Sequence, residues 1–187
     1  MQNWIINVIE KFGYIGIFLL VLLENIFPPI PSEIILTFSG FMTTISKLST
    51  LGVIAVSTLA SYAGAVFLYA LGRGIDCTKK LLGFKQEHLE KSYKMFVRNG
   101  KKTVFIGRLV PVLRSVISIP AGMSNMSFLL FSLYTLLGTL LWNSILTVLG
   151  VLAGTNWEII SIYIDRYSWI VLGVVIVLII WKYKRKD

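Results

Sequence analysis

Glu24-Asn25-Ile26-Phe27-Pro28-Pro29-Ile30-Pro31-Ser32-Glu33 and Gly107-Arg108-Leu109-Val110-Pro111-Val112-Leu113-Arg114 put charge and proline where a hydrocarbon-facing helix has neither. Each stretch is flanked by short apolar runs and followed by a long apolar segment. An ionised side chain at membrane depth costs at least about 2.5 kcal/mol and by default marks a functional site. Proline removes a backbone donor and disfavours helix at the residue before it. Apolar segments broken around such charges are how discontinuous helices line a polar site in membrane transporters.

The composition points the same way. The 187 residues are 56% hydrophobic and 14% charged, whereas a soluble domain carries about 25% charge. Mean hydropathy is +0.77. One compact all-α integral membrane unit, residues 1–187, fits these values. The net charge of +9 does not point to nucleic acid, because it is clustered. Residues 73–102 hold nine of the 18 basic side chains, and the tail after Trp181 holds four more. Such clusters beside spans orient a protein with those segments in the cytoplasm and attract anionic headgroups. The single Cys77 excludes an intrachain disulfide, and one Cys with one His (His88) cannot build a metal constellation. No cofactor is expected. The N-terminus lacks a basic leader region and carries Glu10 and Lys11 within its first apolar stretch, so it does not read as a removable signal.

Along the chain, residues 2–11 form an amphipathic lead-in with Trp4 as an interfacial anchor. Phe12–Leu23 and Ile34–Ile45 are each too short to cross about 30 Å of hydrocarbon, so residues 12–46 read as a re-entrant hairpin. Residues 51–71 are long enough to span, and Gly52, Ala55, Ala60, Gly64 and Ala65 offer close-packing surfaces. Gly72 and Gly74 suggest a turn into the basic loop 73–102, within which His88–Val97 has the spacing of a surface helix. Residues 103–123, with Arg108, Pro111, Arg114 and Pro120, form the second re-entrant segment. Spans follow at 128–153 and 161–181. If segment 103–123 returns to its own side, the basic loop and basic tail both face the cytoplasm, as their charge requires.

An offset of 82 aligns Pro29 with Pro111 and Gly40 with Gly122. Each copy is a broken segment followed by a long span. The parity argument gives the copies opposite orientation, which is the pattern of an inverted repeat with a site at its interface.

Three blocks of residues carry a family resemblance. The first is Glu24, Pro29, Pro31, Glu33 and Gly40; the second is Gly64, Tyr69, Leu71, Gly72, Arg73 and Gly74. The third and most specific is Phe105, Gly107, Arg108, Pro111, Arg114, Ala121, Gly122 and Met123, with Phe131, Gly138 and Trp142 downstream. Over roughly residues 12–155 the chain resembles the DedA family, also called the SNARE-associated or VTT-domain family. The resemblance implies two facing re-entrant hairpins packed by spanning helices in a bacterial cytoplasmic membrane. It implies movement of lipids between leaflets, with undecaprenyl phosphate or a phospholipid such as phosphatidylethanolamine as partner and, in some members, dependence on the proton gradient. The family's acidic pair maps onto Glu24 and Glu33, and its arginine pair onto Arg108 and Arg114.

Those residue types suit a lipid phosphate. Arginine donates planar, bidentate, charge-assisted hydrogen bonds and stays protonated. Half-helix N-termini add free N–H groups. Desolvation favours the neutral form of a carboxylate and a neighbouring guanidinium the charged form, so Glu24 and Glu33 are the proton-coupling candidates. Pro29, Pro31, Pro111, Gly40 and Gly122 support the hairpins. Tyr62, Tyr69, Arg73 and Asn143 are weaker candidates that helix packing or membrane orientation accounts for equally well. A purely structural role for the charges, as ion pairs joining the hairpins, stands beside the functional one. The rival functions are a proton-coupled carrier of a small ion, a membrane lipid phosphatase and an assembly scaffold. The sequence leaves the oligomeric state open.

Overall fold

The computed structural model describes residues 2–26, 32–82, 100, 102–110, 113–156, 159 and 163. Pro29, Pro31, Pro111, the expected surface helix at 88–97 and, apart from Tyr163, the expected span at 161–181 lie outside the described residues. Helices α1 (Gln2–Phe12) and α2 (Tyr14–Ile26) meet at Gly13, whose φ of +53° suits a residue without a Cβ. Helix α3 (Ser32–Ile45) follows the proline-rich stretch, and α4 (Thr50–Leu82) follows a short loop. The Ser49 hydroxyl caps α4 by accepting the Gly52 N–H at 3.0 Å, and the Ser49 N–H donates to the Tyr14 hydroxyl at 2.7 Å. After residues 102–108 (α5) come the short helices α6 (Leu113–Val116) and α7 (Ser118–Met123), then α8 (Phe128–Ala153) and a 3₁₀ turn at Gly154–Asn156. No strand occurs among the described residues.

Among the described residues, two helices are long and apolar enough to cross a membrane, Thr50–Gly74 and Phe128–Asn156. Helices α2 and α3 have 13 and 14 residues, about 20 Å each at 1.5 Å per residue. The outer faces of the long helices carry exposed Leu51, Leu59, Phe67, Leu133, Leu137 and Val148, side chains that hydrocarbon accommodates and water does not. The expected turn at Gly72 and Gly74 is corrected here: α4 runs through both glycines to Leu82, so the first ten residues of the expected basic loop are helical. Gly72 is there for packing. A Cβ on it would overlap the Ile119 carbonyl of α7.

Helix α3 packs on α8, both α2 and α7 pack on α4, and α4 packs on α8. Glycines set these contacts in corresponding pairs. Gly40 lies on the Thr147 carbonyl and Gly150, and Gly150 lies on Thr37. Gly122 lies on the Tyr69 carbonyl and the Arg73 nitrogen, and Gly72 lies on Ile119. Thr37 and Gly40 precede Ile119 and Gly122 by 82 positions each, and Tyr69 and Gly72 precede Thr147 and Gly150 by 78 each. A second set is similar in kind but at other offsets, 83 for the partners and 74 for the glycines: Gly64 meets Leu22 and Asn25, and Gly138 meets Phe105 and Arg108. The segment after each break therefore packs on the long helix of the other copy, and the segment before it on its own. Close backbone approach of this kind requires small residues.

Candidate functional site

Each break brings its flanking charges inward. Glu24 lies in the last turn of α2, Glu33 in the first turn of α3, Arg108 at the end of α5 and Arg114 in α6. All four are buried: Arg108 is 0% exposed, Arg114 3%, Glu24 4% and Glu33 6%. The Arg114 Nη2 donates to Glu24 Oε2 in an ion pair that joins residues 90 apart in sequence. Asn25 Nδ2 donates to the same carboxylate oxygen at 3.3 Å and to the Val21 carbonyl at 3.1 Å. Glu33 makes no ion pair among the described residues, yet its field acts on both Glu24 and Arg114.

Arg108 is treated differently. Its Nη1 donates to the Arg114 carbonyl and its Nη2 to the Ser118 hydroxyl at 2.6 Å. Both acceptors are neutral. A guanidinium has five N–H donors, and Nε has no partner among the described residues. The stem lies against Gly138, and the guanidinium carbon sits 6.0 Å from the centroid of the Phe131 ring, a cation–π distance. Phe131 stacks in turn on Tyr69 at 4.5 Å between centroids, and the Tyr69 hydroxyl donates to the Met126 carbonyl. The site thus holds one closed ion pair and one buried cation with neutral partners.

Tyr69 also lines a groove of about 400 Å³, with Val66, Ala70, Arg73, Gly74 and Phe128. Its walls are apolar and Arg73 is exposed beside it. Of the weaker candidates, Tyr69 and Arg73 therefore flank the site. Tyr62 donates to Ser132 at 2.8 Å and joins α4 to α8. Asn143 joins Ser57 and Ser61 of α4. Gly40 and Gly122 serve helix contacts; Pro29, Pro31 and Pro111 lie outside the described residues, while Pro120 lies within α7. Sequence reasoning missed Ser118, which holds the Arg108 fork. The available signal was its spacing, one helical turn beyond Arg114.

The VTT-domain family model matches residues 30–152. The chain belongs to the VTT-domain (DedA) family. An alkaline phosphatase-like protein of Lactococcus lactis is 44% identical to this VTT-domain chain, over 100% of it and 93% of the relative. Undecaprenyl phosphate transporter A of Staphylococcus aureus is 38% identical over 97% of this chain and 94% of its own length. Protein DedA of Escherichia coli is 26% identical over 89% and 78%. No solved structure matches.

Proposed function

We propose that this VTT-domain protein moves a phosphate-headed lipid, with undecaprenyl phosphate the first candidate, between the leaflets of a bacterial cytoplasmic membrane. The observation that carries the reading is Arg108, a fully buried guanidinium whose hydrogen-bond partners are neutral oxygens and whose Nε is open. Stranding a cation there is costly, and an arriving phosphate offsets that cost by accepting charge-assisted bonds. Arg114 stands next to it, through the carbonyl that Arg108 holds. A phosphate bridging both guanidiniums competes with Glu24 for Arg114, and a displaced carboxylate becomes free to take a proton. Two relatives named undecaprenyl phosphate transporter A, in Staphylococcus aureus and Bacillus subtilis, support the substrate class.

In this reading, segments 12–46 and 103–123 re-enter from opposite faces as an inverted repeat. The basic stretch 73–102 and the C-terminus face the cytoplasm. The groove beside Arg73 then opens at the cytoplasmic leaflet, where Arg73 gathers headgroups and the apolar walls take a chain. Tyr69 lines this groove and stacks on Phe131, which lies against the Arg108 guanidinium.

The name of the Lactococcus relatives keeps a second reading in view, hydrolysis of a lipid phosphate. One experiment separates the two. Purified protein in liposomes is given undecaprenyl phosphate or phosphatidylethanolamine under an imposed pH gradient, and leaflet exposure and free phosphate are followed together. Protein-dependent leaflet exchange of undecaprenyl phosphate without phosphate release is expected. Phosphate release without exchange would establish the hydrolase instead. Exchange of phosphatidylethanolamine alone would move the substrate to phospholipid, and proton flux with no lipid exchange would indicate a small-ion carrier.

A further inference from the structure

Helix α8 carries a second polar feature that the lipid site does not use. Thr135, Thr139, Asn143 and Thr147 recur at intervals of four and are 0%, 2%, 0% and 0% exposed. That spacing stacks them on one helix face. From Thr135 to Thr147 the helix rises about 18 Å, more than half of the ~30 Å hydrocarbon thickness.

Hydroxyls in membrane helices ordinarily satisfy themselves by bonding to a carbonyl one turn back. Thr37, Ser39 and Ser46 of this protein do so, to Glu33, Ile35 and Met42, and Thr139 does so to Thr135. Thr135 and Thr147 do not. Neither hydroxyl has a hydrogen-bond partner among the described residues, and neither has the Asn143 Oδ1. The Asn143 amide donates across to Ser57 at 3.3 Å and Ser61 at 3.4 Å, and on the same helix α4 the buried Thr58 hydroxyl is also unpartnered. Arg108 lies beside the same helix: its stem meets Gly138, between Thr135 and Thr139 in sequence, and its Nε has no acceptor among the described residues. Each buried polar group left without a partner costs about 1–3 kcal/mol, and buried water is the usual remedy where several such groups converge.

We propose that this face of α8 holds a file of water molecules reaching from the Gly154 end of the helix to the Arg108 guanidinium. Threonine hydroxyls and the Asn143 amide both donate and accept, so a hydrogen-bonded file along them relays protons. Phe128, in the lipid groove, begins the same helix. Lipid and water therefore reach the charge cluster from opposite ends of α8. In the orientation proposed above, the water comes from outside the cell. The hydration itself does not depend on the transport reading; only its use as a proton route does.

The test needs no lipid substrate. In a Cys77→Ser background, single cysteines replace Thr135, Thr139, Asn143 or Thr147, and separately the lipid-facing Leu137, Ile145 or Val148. The protein is reconstituted, and a charged methanethiosulfonate, which reacts with hydrated thiolates, is added to each side. Stripe cysteines are expected to react at least ten-fold faster than lipid-facing ones, with rates falling from Thr147 inward to Thr135. Equal or slower reaction on the stripe overturns the proposal. Thr147→Val, which keeps the side-chain shape, supplies a second reading. On a dry face it removes an unsatisfied group and raises the melting temperature; on a wet face it leaves that temperature unchanged or lower. A rise overturns the water file. Reactive stripe cysteines in a protein that moves no lipid would keep the file and refute the transporter.

Discussion

Arg108 and Arg114 are equally buried, yet neutralising them should have unequal consequences. Arg114 is the partner of Glu24. Arg114→Gln strands a carboxylate that is 4% exposed, and breaking a buried pair from one side costs about 3–5 kcal/mol. Arg108→Gln strands no carboxylate. It gives up bonds to the Arg114 carbonyl and Ser118 hydroxyl, worth about 1.5–3 kcal/mol each. It also removes a desolvation penalty of several kcal/mol, and the new amide can keep one of the two bonds. The opposing contributions leave a net change within about 1 kcal/mol by the same estimates. A chain of this size shifts its melting temperature by about 2–4 °C per kcal/mol. Arg114→Gln should therefore lower the melting temperature by roughly 6–20 °C, and Arg108→Gln should move it by less than about 4 °C. Adding Glu24→Gln to Arg114→Gln should recover most of the loss. Tryptophan-fluorescence melting in one fixed lipid nanodisc measures all four proteins, and lipid-phosphate binding is read on the same samples. Arg108→Gln should lose binding while it keeps stability. Equal destabilisation by both arginine variants, with no recovery in the double variant, would refute the assignment of one closed pair and one open cation.

Three further outcomes follow from the geometry. Gly122→Ala and Gly150→Ala each drive a Cβ onto a facing backbone carbonyl and should cost about 1–3 kcal/mol; Gly74→Ala meets nothing within 4 Å and should be neutral or stabilising by up to ~1 kcal/mol, all by melting temperature. Arg108→Lys keeps the charge and loses the fork, and Ser118→Ala frees the fork from its hydroxyl; both should weaken lipid-phosphate binding about ten-fold or more, one lost charge-assisted bond being worth ~1.5–3 kcal/mol, and full affinity in both would count against phosphate at this guanidinium. Glu24→Gln or Glu33→Gln should flatten the pH profile of lipid flux, and an unchanged profile in both variants would make the carboxylates structural.

Much of the architecture is legible in the sequence because its cause is local. Proline at 28, 29, 31 and 111 disfavours helix at its own position and the one before it, whatever surrounds it, and the apolar runs at 51–71 and 128–153 are long whatever they touch. The proposed repeat is legible in the sequence only through Pro29/Pro111 and Gly40/Gly122. The glycine contacts are tertiary and join distant segments, 110 residues apart for Gly40 and Gly150 and 47 for Gly72 and Ile119. Gly72-Arg73-Gly74 reads locally as a turn and is helix, since the packing on Ile119 outweighs the intrinsic cost of two glycines. The choice of Arg114 over Arg108 as partner for Glu24 is likewise tertiary. So is the polar stripe of α8: four-residue spacing of threonine looks the same whether its hydroxyls bond back to the helix or stand open.

In the repeat proposed above, the two copies share packing and divide chemistry. Leu22 and Asn25 on Gly64 match Phe105 and Arg108 on Gly138, so Asn25 occupies in one copy the place Arg108 occupies in the other. Both carboxylates come from the first copy and both guanidiniums from the second. The Glu24–Arg114 pair is therefore a tie between copies, made across 90 residues, while Arg108 bonds within its own copy, to Arg114 and Ser118. If a phosphate takes Arg114 from Glu24, binding itself loosens the tie and lets one copy move against the other. A ligand shifts such an equilibrium only by its differential affinity for the two states, and competition with an internal anion supplies that difference. Glu24→Gln should mimic the loosened state, because a neutral amide holds a buried guanidinium less strongly than a carboxylate does. Amide hydrogen exchange in α6 and α7 should then speed up several-fold in Glu24→Gln, and in the unsubstituted protein on adding lipid phosphate. Arg108→Gln should show no response to the lipid. Exchange in α6 and α7 that is the same in Glu24→Gln as in the unsubstituted protein would mean that the pair does not hold the copies together, and the competition mechanism would fail with it.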